Sequence, residues 1–85
     1  MEWLDVRAYL NGDPTMRDQG GRVIPKGDAI QVLDRWDRVV GTLTMEAGEV
    51  CLEDREGPLA SAPWAYRDSV FEEAIGLVIE SGMGR

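Results

Sequence analysis

The stretch Ala29–Asp54 reads AIQVLDRWDRVVGTLTMEAGEVCLED, and its reading decides the fold. Ala29–Leu33 is a strand candidate with Ile30 and Val32 on one face. Asp34-Arg35-Trp36-Asp37-Arg38 forms a polar tip. Val39–Met45 then resumes with valine and threonine, residue types that suit a pleated, half-buried surface. Because side chains alternate along a strand, Leu43 and Met45 point inward while Thr42 and Thr44 point to water. Glu46-Ala47-Gly48 turns the chain into Glu49–Glu53, where Val50 and Leu52 face in and Glu49, Cys51 and Glu53 face out. Arg55-Glu56-Gly57-Pro58 turns it again toward a weaker strand near Leu59–Ser61. Short alternating runs with a turn roughly every ten residues predict an antiparallel meander over 29–61, of about four to five strands.

On the C-terminal side, Val70, Phe71, Ala74, Ile75, Leu77 and Val78 fall on one arc when stepped at about 100° per residue. Ser69 and Glu72 have the spacing of a capping box, and Gly82 suits the residue just past a helix end. The pattern predicts an amphipathic helix over 69–81 with Glu73 and Glu80 on its polar side. One helical stripe packed on a meander is a two-layer α+β domain.

On the N-terminal side the signal is mixed. Leu4, Val6, Ala8 and Leu10 alternate with polar neighbours as in a strand, whereas Trp3, Val6 and Leu10 have helical spacing. The shortness of the stretch and its aromatic and valine content favour a strand over 2–10. Asn11-Gly12-Asp13-Pro14 ends it, and residues 15–28, broken by Gly20-Gly21 and Pro25-Lys26-Gly27-Asp28, read as a long loop. With 85 residues, the chain has length for a single domain, 1–85.

Composition excludes several classes of function. Sixteen acidic residues against nine basic ones leave a formal charge of −7, so the chain lacks the basic patch by which proteins release counterions from nucleic-acid phosphates. The same balance excludes an anionic membrane surface as partner. No apolar run is long enough to span a bilayer, and the acids of Met1-Glu2-Trp3-Leu4-Asp5 stand where a secretory leader needs bases, so a cytoplasmic location is expected. Arginine outnumbers lysine eight to one, an association with GC-rich genomes that suggests a bacterial or phage source.

With no histidine and a single cysteine, the chain offers neither the commonest general base nor a zinc ligand set, and no disulfide within one chain. Ser61, Ser69 and Ser81 lack the context of an activated nucleophile, and Cys51 has no partner to lower its pKa. The expectation is a protein that is not an enzyme and takes no cofactor or metal.

Charge distribution is more informative than total charge. Residues 1–42 carry seven acids and six bases, whereas residues 43–85 carry nine acids and three bases. Alternate carboxylates on a strand face are about 6.5–7 Å apart per step. Carboxylates four apart on a helix, such as Asp68 and Glu72, are about 6 Å apart. Both spacings are comparable with successive phosphates of a nucleic-acid strand. Candidate partner-binding residues are therefore Glu46, Glu49, Glu53, Asp54, Glu56, Glu72 and Glu73, with Trp36 at the hairpin tip as an anchor. The leading expectation is a small acidic binding protein, monomer or homodimer, that occupies the basic surface of a nucleic-acid-handling partner, in the manner of an anti-CRISPR or DNA-mimic inhibitor. Set against it are charge that serves solubility alone and an adaptor or assembly subunit binding through an apolar surface.

Overall fold

The computed structural model describes residues 1–83. A 3-10 turn at Trp3–Asp5 leads into α1 (Val6–Asn11) and α2 (Pro14–Asp18). Five strands follow: β1 (Arg22–Lys26), β2 (Ala29–Leu33), β3 (Val39–Glu46), β4 (Glu49–Asp54) and β5 (Gly57–Pro63). A second 3-10 turn, Trp64–Tyr66, enters α3 (Arg67–Met83). The strands lie in sequence order and every neighbouring pair is antiparallel, so the sheet is a simple meander. The architecture is α+β, with the C-terminal helix packed on the sheet.

All three helices cover one face. Val70, Phe71, Ala74 and Val78 of α3 meet Ile30, Val32, Leu43, Val50 and Leu52 from the strands, and Val6, Leu10 and Met16 complete the same core. Gly41 on β3 leaves room for this docking, because a Cβ there would stand 2.8 Å from Leu77 Cδ1. Gly21 does the same for the chain entering β1, where a Cβ would meet Val78 Cγ1 at 2.6 Å and Met16 Sδ at 2.8 Å. Trp64 bridges the layers at one end, edge-on to both Trp3 and Phe71 with centroid separations of 6.4 Å.

Four expectations are corrected. The stretch 2–10 is no strand but helical from Trp3 onward, since Val6 and Leu10 are both fully buried one helical turn apart while Leu4, which a strand would have placed beside them, is 90% exposed. The stretch 15–28 is no loop. Asp13 caps α2 by accepting the Met16 N–H, Pro14 occupies the first turn where its missing N–H costs nothing, and β1 pairs with β2 across Gly27-Asp28. Ser69 and Glu72 form no capping box, because α3 grows out of the preceding 3-10 turn and starts at Arg67; Ser69 Oγ donates to the Tyr66 carbonyl at 3.1 Å. Gly82 lies within α3, which runs on to Met83.

Candidate functional site

With the helices on one face of the sheet, the other face carries no covering layer among the described residues. Alternation sends Glu49, Cys51 and Glu53 of β4 to that open face, as expected, and cross-strand register sets them beside Glu46, Thr44 and Thr42 of β3 respectively. Glu46 stands directly opposite Glu49, a like-charge pairing that destabilises a sheet. The turn between them is tight, with Ala47 at φ 48° and Gly48 at φ 80°. Gly48 tolerates that left-handed geometry and Ala47 is strained by it.

Between β4 and β5 the open face sinks into a hollow of about 390 Å³, bordered by Glu46, Cys51, Glu53, Pro58, Leu59 and Ser61. Burial pushes the Cys51 thiol up, and the negative charges of Glu46, Glu49 and Glu53 push it further, against a smaller opposing hydrogen bond with Thr44. The thiol is therefore held in its protonated, weakly nucleophilic form. Among the described residues no salt bridge engages Glu46, Glu49 or Glu53. The hollow offers negative potential from the Glu46 and Glu53 carboxylates at its border.

The other candidate residues fall elsewhere. Asp54 and Glu56 occupy the β4–β5 turn at the opposite end of the strands, where the Asp54 carboxylate accepts the Glu56 N–H at 2.8 Å. They border a shallow groove shared with Leu77, Glu80 and Ser81 of α3. Glu72 and Glu73 project from α3, on the helical side of the molecule. Glu72 lines a small hollow of about 180 Å³ between α1 and α3, with Tyr9, Phe71 and Asp68. The fold thus sets Glu46, Glu49 and Glu53 on one face around Cys51, turns Asp54, the chain neighbour of Glu53, off that face by alternation, and places Glu72 and Glu73 on the helical side.

Trp36 is 45% exposed at the β2–β3 tip. Both flanking guanidiniums lie on its ring, Arg35 at 5.6 Å and Arg38 at 5.0 Å from the centroid. Sequence reasoning missed the residue that organises this tip. Asp34, read only as the first residue of the hairpin tip, is 1% exposed and accepts the backbone N–H groups of Trp36 and Arg38, the Arg38 side chain and the Ser81 hydroxyl. Burial by itself would raise its pKa. The four hydrogen bonds, that from Ser81 foremost, outweigh burial and hold the carboxyl well below the usual range. The signal was an aspartate two and four residues before amides of a tight turn, the spacing at which Asx side chains satisfy backbone donors.

Among the described residues no three His, Cys, Asp or Glu side chains come together to hold a metal ion. Likewise, no described helix is long and apolar enough to cross a membrane. Comparison with family models, with curated proteins and with solved structures found no match to this chain.

Proposed function

We propose that this protein is a small acidic binding module that acts by occupying a basic, nucleic-acid-binding surface of a partner protein, as inhibitors of the anti-CRISPR or DNA-mimic type do. The observation that carries this reading is the open face of the sheet, where Glu46 and Glu53 border one hollow, Glu49 stands across the ladder from Glu46, and none of the three has a salt bridge to any described residue. An acidic face of that kind suits a basic groove, and complementary potentials speed and orient the encounter. Like charges held face to face at Glu46 and Glu49 oppose folding, and a cationic partner would relieve that repulsion on binding. Trp36, set between two arginines at the other end of the sheet, supplies the residue types that dominate interface energies. In this reading the protein performs no catalysis, and needs no cofactor.

The test is a pull-down from bacterial lysate at low and high salt, with the same experiment on the double variant Glu49→Lys and Glu53→Lys. The expected result is a nucleic-acid-handling protein retained at low salt, released at high salt, displaced by duplex DNA and absent with the variant. Unchanged capture by the variant, or a partner indifferent to salt and DNA, would refute the electrostatic reading. Such a result would favour the alternative of an adaptor or assembly subunit that binds through an apolar surface.

A further inference from the structure

Asp34 directly follows β2, yet its carboxylate also holds Ser81 near the end of α3. Oδ1 accepts the N–H groups of Trp36 and Arg38, each at 2.9 Å, and so shapes the turn that carries the tryptophan. Oδ2 accepts Arg38 Nε at 2.9 Å and Ser81 Oγ at 2.6 Å. Ser81 belongs to the last turns of α3 and lies 47 residues away. Arg38 Nη2 donates in turn to Ser81 Oγ at 3.3 Å, closing a ring of three side chains, while the same guanidinium lies over Trp36. One buried carboxylate therefore grips the tip with one oxygen and the helix end with the other.

From this geometry we infer that Ser81 and Asp34 form a latch through which the end of α3 sets the presentation of Trp36. The tip needs such support. Asp37 sits at φ 62°, a left-handed conformation that a non-glycine residue keeps only when its surroundings impose it. Its N–H donates to the Asp34 carbonyl at 3.0 Å, and its side chain pairs with Arg22 at 3.1 Å. If Ser81 leaves, Oδ2 of the buried Asp34 loses a donor, and the carboxylate shifts toward the groove beside α3 to find another. That shift draws the Trp36 and Arg38 amides with it and takes the Arg38 guanidinium off the ring. Ser81 is thus a positioning residue for Trp36. By reciprocity, a partner that clamps Trp36 in this conformation also stabilises the last turns of α3. That last consequence rests on reading Trp36 as a binding anchor; the latch itself does not.

Amide hydrogen exchange on the wild-type protein, Ser81→Ala and Ser81→Thr tests the latch without any partner. In Ser81→Ala the Trp36 and Arg38 amides are expected to exchange about tenfold faster, with amides of β3 and β4 unchanged. Ser81→Thr, which keeps the hydroxyl, is expected to restore protection. Faster exchange confined to the end of α3 would overturn the inference, because Ser81 would then be a local helix contact. Uniform acceleration across the sheet would overturn it equally, because the serine would then serve global stability alone. Failure of the pull-down would leave each of these outcomes intact.

Discussion

The two hairpin tips at opposite ends of β3 treat charge in opposite ways. At the β2–β3 tip, Asp34 is buried under four hydrogen bonds, Asp37 pairs with Arg22, and Arg35 and Arg38 lie on Trp36. At the β3–β4 tip, Glu46 faces Glu49 across the ladder, and the turn between them forces Ala47 into a left-handed conformation. The first tip uses its charges to fix a shape. The second keeps like charges together at a cost in stability, the pattern expected where a surface is retained for what it meets rather than for what it holds together.

The comparison breaks first at Asp34. Replacing it with Asn keeps its size but removes the charge and one of the two acceptors, so that an NH2 group faces either the Trp36 and Arg38 amides or Arg38 Nε. The expected loss is about 2–4 kcal/mol, measured by urea unfolding. A loss under about 1 kcal/mol would mean that the tip holds itself without the carboxylate. The same residue sets an acid limit. Its folded pKa lies below the ordinary value of 3.8, so its contribution is fully present above that pH and fades as pH falls further, through the folded value. Wild-type stability should therefore decline below about pH 4 more steeply than that of Asp34→Asn, in parallel urea titrations.

The acidic tip should respond with the opposite sign. Ala47→Asn puts a residue that tolerates left-handed geometry into a two-residue turn and should stabilise the protein by about 0.5–1 kcal/mol. Glu49→Lys replaces a like-charge pair with an opposite one across from Glu46 and should add about 0.2–1 kcal/mol, reduced by salt. Stabilisation by Glu49→Lys together with loss of salt-sensitive partner binding would sharpen the contrast most. Destabilisation by either substitution would show that this tip, too, is built for stability.

Legibility in the sequence followed the range of the interactions involved. The meander was readable because strand alternation and turn chemistry are local: Val50 and Leu52 point inward and Glu49, Cys51 and Glu53 outward by the period of the backbone alone. The apolar arc of α3 was readable for the same reason. At residues 2–10 two periods fitted one stretch, and the choice fell to Val6 and Leu10 finding Val23 and Ile30 in the same core, a contact that no local rule contains. Residues 15–28 hid an edge strand, since Pro25 and Gly27-Asp28 look like breakers until β2 is present to pair with. Of the candidate site, the shared face of Glu49 and Glu53 was visible through alternation, whereas the place of Glu46 beside Glu49, set by the β3–β4 register, and the separation of these acids from Glu72 and Glu73 were not.

By itself, then, the order of residues determined which side chains share a face of each strand and helix, how acidic the second half is, and that histidine chemistry is absent. Only the tertiary structure decided which sheet face stays open, which acids meet, and that one aspartate at a turn would be buried under Ser81. The physical reason is one of distance along the chain. Periodicity is written within a few residues, whereas the burial of a charge depends on donors that arrive from elsewhere, in this case 47 residues away.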